Sequence, residues 1–406
     1  MRSNMSRFSE FENKTINWVE SLRAKNTRYG RYKMSKSTGY SPFTSCFACF
    51  IRYLLGDLEA ISQKEKNEWI DYLLSFQDSS TGLFIFRLYE QKENEHDQFY
   101  KDLQLTTFCI SALDALGSEL RYPLSFLNIK KFNNPNNLVK WLVNQKWKDP
   151  WYVGNIVMFV QIMILYVLIR YQKFEFKESS KAFFDWHDKQ QNPETGFWGK
   201  GRAAKDYYGL FGAYHQYILY FFVGRELQYK EQIIDKALSF QNLDGLFAPE
   251  MGGGACEDID VIDTLVQLSF RTDYRKNEIL NCLRHAYNSI CRLRDPGGGY
   301  PWGIRRRYPL STGLKIIGNI FRPNSSLYHW YFLNKRYWKE QLFVRSSRLA
   351  HGWTDNPIPY SESDLFSTSI RLHTIAIISK LLPDLPEGRQ DYYFLKTPGL
   401  GWFQHV

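Results

Sequence analysis

The sequence lacks the short motifs that mark several common classes of enzyme. It contains no Gly-x-Ser-x-Gly nucleophile motif and no Asp-Asp-x-x-Asp box, and its glycine runs at 252–254 and 297–299 have no Lys-Ser/Thr partner of a phosphate loop. It also lacks zinc-finger spacing, basic heptads and an RNA-binding aromatic signature. These absences disfavour serine hydrolases, magnesium-dependent ionising synthases and nucleic-acid binding proteins, and they predict no cofactor.

Cysteine is scarce and shows no disulfide framework. The six residues lie mostly in helix-like segments, and Cys46 with Cys49 forms one C-x-x-C that no second pair follows. We therefore expect reduced thiols and, because the chain begins with a polar stretch, a cytoplasmic location.

One apolar run, residues 153–169, is at the lower length limit for a membrane-spanning helix. It carries Asn155 and Gln161, which favours a buried inner helix over a membrane span. Peripheral contact with a membrane surface remains a second expectation for this chain.

Aromatic residues and positive charge are both abundant. Phe, Trp and Tyr make up 17% of the 406 residues, and the formal net charge is +10. Aromatic side chains fill cores and also line pockets for apolar or cationic ligands. A basic chain favours anionic partners, so a phosphorylated small molecule is one expected substrate class.

A helix–turn–helix layout recurs along the chain. Each copy has a helical run, a turn containing Gln, Gly and an aromatic residue, and a second, more apolar helix. Glycine supplies the positive φ that such a reversal needs, and a Gln side chain can bond the free backbone groups at a helix end. The three clearest turns are residues 77–84, 191–198 and 241–247.

The repeat predicts an all-α toroid. Weaker copies around residues 18–32, 138–151, 286–302 and 352–382 bring the total to six or seven hairpins. Because the second helix of each pair is apolar nearly all round, we expect it on the inside, with the amphipathic first helix outside. About six hairpins close a ring, so we expect one α/α-toroid domain over residues 1–406, with a short polar segment at 1–10.

The turn at Gln191–Trp198 (QNPETGFW) resembles the repeat of the prenyltransferase and squalene cyclase superfamily, whose members are α/α-toroids. QDSSTGLF and QNLDGLF are weaker copies of the same pattern. The resemblance covers most of the chain and implies the fold. Enzymes of several classes share this toroid, so the function must be argued from the site.

Four acidic residues crowd the predicted start of one inner helix: Glu257, Asp258, Asp260 and Asp263. Glu257 and Asp260 share a helix face with Thr264 and Gln267, and Asp263 lies close to that face. A polar stripe on an apolar inner helix must face a polar cavity, and carboxyl groups packed this closely do not all ionise near neutral pH. At least one should therefore stay protonated, as a general acid requires.

This acidic segment resembles the Asp-x-Asp-Asp motif of class II terpene cyclases. In that family the middle Asp protonates an alkene or epoxide, and aromatic side chains stabilise the resulting cations. Asp258 and Asp260 match the first two acids, whereas Val261 replaces the last one. The resemblance implies an acid-initiated cyclisation of an isoprenoid with Asp260 as proton donor, and the missing Asp weakens that assignment.

The starts of the other inner helices supply candidate substrate-binding residues, because a toroid brings these starts to one end of the ring. They are Trp198, Tyr207, Tyr208, His215, Trp302, Arg305, Tyr308, Asp364 and His373. Cys256 and Asp258, with His215 or His373, also form an alternative zinc set, although we predict no metal site.

Two further functions stay open. Paired carboxylates and aromatic platforms suit a carbohydrate-active toroid enzyme equally well. A non-catalytic binding protein is the third alternative, since repeat arrays commonly present interaction surfaces. A ring whose acids are all paired with arginine would favour that third function.

Overall fold

The computed structural model describes residues 9–88, 95–305, 307, 309–318, 327–348, 353–386 and 391–403. These residues are almost entirely helical, and Ser347–Arg348 pairs with Ile358–Pro359 as a short antiparallel ladder. The helices are α1 (Glu10–Ser21), α2 (Pro42–Leu55), α3 (Gln63–Leu74), α4 (Glu95–Ala115), α5 (Phe126–Ile129), α6 (Pro135–Val143), α7 (Pro150–Arg170), α8 (Lys177–Gln190), α9 (Tyr207–Val223), α10 (Lys230–Ser239), α11 (Ala255–Ser269), α12 (Lys276–Cys291), α13 (Leu310–Gly318), α14 (Leu327–Leu342) and α15 (Leu365–Leu381).

Six helices form a closed inner ring. In order, α2, α4, α7, α9, α11 and α15 each pack against the next, and α15 packs against α2. Their outer partners are α1, α3, α6, α8, α10 and α12. The Thr15 hydroxyl of α1 donates a 2.8 Å hydrogen bond to the carbonyl of Gly298, which ties the first hairpin to the last turn. The described helices therefore form an α/α-toroid of six hairpins, which confirms the predicted fold class.

The inner helices are buried because they are apolar on nearly every side. Helix α7 is long and apolar enough to cross a membrane by length and composition. However, 72% of its most apolar stretch of 18 residues is buried inside the protein. It lies in the ring between α4 and α9. Residues 153–169 thus occupy an inner helix, as the two polar residues within them suggested.

The repeated turn works through its Gln side chain. The Nε2 of Gln77 donates to the Gly82 carbonyl at 3.0 Å and to the Tyr122 carbonyl, which lies beyond α4, at 2.8 Å. Gln191 and Gln241 make the same pair of contacts in their own turns. Each Gln therefore fastens its turn and also links it to the next repeat. The turn glycines have φ values of +71° to +85°.

The sixth hairpin is interrupted by an insertion. Its outer helix α12 packs against α15, and α13 and α14 lie between them in sequence and pack mainly against each other. The sequence suggested that an inner helix of the ring follows the turn at Trp302 directly. The structure instead places the α13–α14 hairpin there, before the inner helix α15. The described helices therefore form six repeats plus one insertion.

Candidate functional site at the start of helix α11

Asp258 is a structural anchor. Its Oδ1 accepts the N–H of Phe247 at 2.7 Å, and its Oδ2 accepts the N–H of Gly254 at 3.0 Å. The same Oδ2 lies 2.6 Å from Nη1 of Arg371 on α15, and both side chains are fully buried. All these contacts hold the loop before α11 against α15. Both carboxyl oxygens of Asp258 are therefore engaged in these contacts, and its predicted catalytic role stays a prediction.

Asp260 has a different environment only one half-turn later. Its side chain is buried, and its Oδ2 has no hydrogen-bond partner among the described residues. Burial raises the pKa of this carboxyl well above its usual value, and the neighbouring carboxyls of Glu257 and Asp263 raise it further. This environment therefore favours the protonated carboxylic acid over the carboxylate.

Asp260 faces the interior of the ring. Helix α4 lies directly opposite α11, with two inner helices between them on either side. The pKa of Tyr100 on α4 is raised above its usual value, first by burial and then by neighbours that include Cys256 and Asp260 of α11. The carboxyl group of Asp260 is therefore near enough to Tyr100, on the opposite helix, to influence its ionisation.

Asp263 pairs with a tyrosine of the neighbouring helix. The hydroxyl of Tyr214 on α9 donates a 3.2 Å hydrogen bond to Oδ2 of Asp263, and the other carboxyl oxygen has no partner among the described residues. Burial raises the pKa of Asp263 to about 7, although the Tyr214 hydrogen bond acts in the opposite direction. Asp263 is thus poised to gain or lose a proton near neutral pH.

Glu257 lies in the first turn of α11. Its side chain is partly buried, and burial together with the negative charge of Glu250 raises its pKa to about 7. The buried Glu250 is itself 3.2 Å from Nη2 of Arg345. The face of α11 therefore presents three carboxyl groups with raised pKa values.

Arg305 closes the loop that precedes α11. Its guanidinium donates to the carbonyls of Met251 and Gly253 at 3.1 and 2.9 Å and lies 4.8 Å from the ring centroid of Tyr360. These contacts fix the backbone just before the acidic residues. Tyr308, the other candidate from this stretch, lies outside the described residues.

Asp364 serves as the N-cap of α15. Its carboxylate accepts the N–H and the hydroxyl of Ser367 at 2.8 and 2.6 Å, and it pairs with Arg348 at 2.8 Å. The Arg348 guanidinium in turn lies 4.4 Å from the ring centroid of Trp302. Trp302 is buried and stacks on Phe366. Asp364 therefore caps a helix, and Trp302 belongs to the aromatic packing at the same end of the ring.

Two candidate histidines are buried and neutral. Burial lowers the pKa of His215 on α9 to about 4 and that of His373 on α15 to about 3. Neither ring nitrogen of His373 has a partner among the described residues, and its ring lies 5.5 Å from that of Phe394. Among the residues that the structure describes, no three His, Cys, Asp or Glu side chains group as metal ligands would.

The remaining candidates divide between packing and the entrance. Trp198 donates from Nε1 to the His187 carbonyl at 2.7 Å, and Tyr207 stacks on Phe240 of the next hairpin. Trp198 thus fastens the turn of its own hairpin, and Tyr207 packs one hairpin on the next; their predicted contact with substrate stays a prediction. Tyr208 is partly buried with its ring 5.9 Å from that of Trp151, which starts α7.

Sequence reasoning missed four residues that the fold brings to this end of the ring. Trp353 is buried, its Nε1 donates to Oε1 of Gln104 at 2.8 Å, and its ring packs against those of α2 and α15. No local pattern pointed to it. Placing the start of α4 at residue 95 would have put Tyr100 in the second turn of an inner helix, where it would have been a candidate. The four residues are Tyr100, Tyr214, Arg348 and Trp353.

The sequence matches no known protein family profile and no curated protein. Three solved structures are similar in fold at low identity. A GH76 α-mannanase from Bacteroides thetaiotaomicron is 13% identical with a TM-score of 0.46, and the match covers 92% of this chain and 96% of that one. The type II terpene cyclase MstE from Scytonema, bound to geranylgeranyl dihydroxybenzoate, is 12% identical with a TM-score of 0.41 over 83% and 96% of the two chains.

An α-1,6-mannanase of Salegentibacter in complex with α-1,6-mannotetrose is 11% identical with a TM-score of 0.28, over 92% of this chain and 98% of that one. At this level of similarity the matches do not decide the function. The toroid itself rests on the closed ring of inner helices, and the chemistry rests on the side chains of α11.

Proposed function

We propose that this protein is an enzyme that protonates an apolar, isoprenoid-type substrate inside the ring and so starts its cyclisation. The observation that carries the proposal is the environment of Asp260, which is buried beside the carboxyl groups of Glu257 and Asp263 and has no hydrogen-bond partner for Oδ2 among the described residues. Such an environment favours the protonated acid. A general acid needs a proton to give and an uncommitted oxygen from which to give it.

The proposed reaction balances without a cofactor. The Asp260 carboxyl gives its proton to a terminal alkene or epoxide of the substrate, and the π electrons of further alkenes close the rings. The final cation loses a proton to a base, so a hydrocarbon product is an isomer of its substrate. Asp263 and Glu257, each with a pKa of about 7, are the nearest bases on the same helix. Tyr100 and Tyr214 supply aromatic faces that stabilise positive charge.

Val261 fits this assignment despite its departure from the family motif. In this chain the acids that raise the pKa of Asp260 are Glu257 and Asp263, one turn before it and one turn after it. The proposal therefore rests on a helix face with a three-residue spacing, and it does not require an acid at position 261.

The proposal predicts that Asp260→Asn abolishes turnover. Asn has nearly the same shape but no acidic proton, so we expect a loss of roughly 10²- to 10⁴-fold in kcat. The assay incubates the protein with farnesyl- and geranylgeranyl-bearing compounds and detects cyclised products by mass spectrometry. Asp235→Asn, on the outer helix α10, is the matched control and should keep full activity.

Two results would contradict the proposal. Turnover by Asp260→Asn at the wild-type rate would show that Asp260 is not the acid. Absence of any cyclised product from the wild-type chain across the panel, together with hydrolysis of a mannan, would favour a carbohydrate-active enzyme instead.

The carbohydrate alternative is supported by one observation. Glu257 and Asp263 both have pKa values near neutrality, so either can act as acid or base in hydrolysis. The non-catalytic alternative is less well supported. It predicts acids paired with arginine, whereas of the four acids only Asp258 has a described arginine ion pair, with Arg371.

A further inference from the structure

Almost all of the net charge of the chain lies in one segment. The protein has 52 Lys or Arg and 42 Asp or Glu, and residues 304–348 contain ten of the former and one of the latter. This segment therefore carries +9 of the total +10, and the rest of the chain is close to neutral. It includes the α13–α14 hairpin inserted in the sixth repeat.

The same hairpin exposes large apolar side chains. Leu310, Leu314 and Ile317 lie on one face of α13 and are 75%, 69% and 40% exposed. Leu327 at the start of α14 is 72% exposed, and Phe343 just after it is 71% exposed. Exposed apolar residues are ordinary when isolated, but a group of this size on one hairpin indicates an interaction surface.

Internal contacts already hold the hairpin, so the exposed side chains are not needed for its fold. The indole of Trp330 donates to the Ile317 carbonyl at 2.8 Å, and Tyr337 donates to the Pro309 carbonyl at 3.4 Å. Gly313 lets α13 approach Trp338 closely. One side of the hairpin is therefore packed, and the side with Leu310 and Leu314 faces solvent.

We infer that the α13–α14 hairpin attaches the protein to the surface of an anionic lipid bilayer. A helix that combines exposed Leu and Phe with Lys and Arg places its apolar side chains among the lipid headgroups, and its cations bind anionic lipids. A nucleic acid would bind the cations but would not account for the exposed leucines. A second copy docked through the same surface would bring two segments of charge +9 together, which disfavours a dimer there.

The position of the hairpin indicates what membrane attachment would do for the enzyme, and this step rests on the proposed function. Arg305 before α13 bonds the Gly253 carbonyl, and Arg345 after α14 pairs with Glu250. Both contacts are to the loop that leads into α11 and Asp260. A bilayer held at this hairpin therefore adjoins the end of the ring at which α11 begins, so an apolar substrate dissolved in the bilayer would reach that end without passage through water.

The test is sedimentation of the full chain with vesicles of phosphatidylcholine, with and without phosphatidylserine. We expect binding to the anionic vesicles only, weakened by added salt. The double variants Leu310→Ser/Leu314→Ser and Lys315→Glu/Lys339→Glu should each reduce the partition coefficient by about tenfold or more. These four side chains are exposed, so the variants should fold like the wild type.

Matched control variants distinguish binding through this hairpin from non-specific adsorption to vesicles. Ile169→Ser/Phe174→Ser removes two other apolar residues, 60% and 68% exposed, and Lys64→Glu/Lys200→Glu reverses two exposed charges elsewhere. Both controls should bind like the wild type. Three results would overturn the inference. The protein could bind neutral vesicles equally well, or the hairpin variants could bind like the wild type. The third is a dimer that forms without vesicles and that Leu310→Ser/Leu314→Ser dissociates. Asp260→Asn should bind vesicles normally, so a failure of catalysis and a failure of attachment are distinguishable.

Discussion

Two aspartates of α11, two residues apart, show how environment decides the role of a carboxyl group. Asp258 accepts two backbone N–H groups and pairs with Arg371, so its negative charge is compensated. Asp260 is equally buried, and its Oδ2 has no described partner. A buried ion without a partner costs far more than a buried neutral acid, so this environment raises the pKa of Asp260 and favours its protonated form.

This difference predicts opposite effects on stability. Asp258→Asn leaves the buried Arg371 without its carboxylate and should lower the free energy of unfolding by about 3–5 kcal/mol. Asp260→Asn replaces one neutral group by another and should cost little at acid pH. Chemical denaturation of both variants and the wild type provides the measurement.

The pH dependence gives the sharper test of Asp260. Its pKa in the folded protein is raised, whereas an unfolded Asp releases its proton near pH ~4. Its contribution to stability is therefore complete below about pH 4 and declines as the pH rises toward the folded pKa. Asp260→Asn lacks this decline, so it should gain stability relative to the wild type as the pH rises above about 4. If the free energy of unfolding changed with pH in the same way for the variant and the wild type, the pKa of Asp260 would not be raised in the folded protein.

At the scale of helices, α7 and α9 approach each other closely at two glycines, Gly154 and Gly212. A Cβ on Gly154 of α7 would lie 2.4 Å from the Gly212 carbonyl of α9, and one on Gly212 would lie 2.2 Å from the Pro150 carbonyl. The Gln216 side chain of α9 also donates to the Gly154 carbonyl at 2.8 Å. These helices pack backbone to backbone, which only glycine allows.

Gly212→Ala should therefore separate α7 from α9 and destabilise the protein by about 1–3 kcal/mol, as overpacked cores do. Gly318→Ala at the exposed end of α13 is the control, because its Cβ would have no atom within 4 Å. That substitution should be neutral or slightly stabilising. Thermal unfolding of the two variants measures the difference, and equal melting temperatures would contradict a tight contact.

Element prediction from sequence succeeded where the repeat is local. The Gln–Gly turns and the apolar second helices follow from residues within one hairpin, and the structure confirms them. The apolar pattern of the second helix does not reveal that α4 already starts at Glu95, because its first two turns are mostly polar. The α13–α14 insertion was missed because it has no Gln–Gly turn to reveal its relation to the repeat.

At the scale of the whole molecule, the ring brings together residues that no local pattern links. Asp258 meets Arg371 across 113 residues of sequence, and Trp353 meets Gln104 across 249. Sequence spacing predicted that the acids of α11 share one face. It did not predict the ion pair of Asp258 with Arg371, nor that the helix carrying Tyr100 lies opposite the helix carrying Asp260. Both facts depend on how the six hairpins close into a ring.

The other end of the ring is covered by the last described segment, residues 391–403. Its Tyr393 N–H donates to the Leu54 carbonyl at the end of α2 at 3.0 Å. Further along, Trp402 packs on Phe222 at the end of α9, and Phe403 packs on Phe270 just after α11. This one segment thus bridges the carboxyl ends of several inner helices, at the end of the ring opposite the start of α11.

This arrangement predicts that Trp402 stabilises the ring as a whole. Trp402 is 6% exposed, so Trp402→Ala should cost about 3–5 kcal/mol, as for other buried aromatic residues. The loss should speed amide hydrogen exchange in the last turns of α2, α9 and α11 together, since one segment covers all three. Tyr393→Ala, at a side chain 42% exposed in the same segment, is the control and should cost much less. Faster exchange confined to α9 would show that Trp402 packs locally and that the segment does not hold the ring closed.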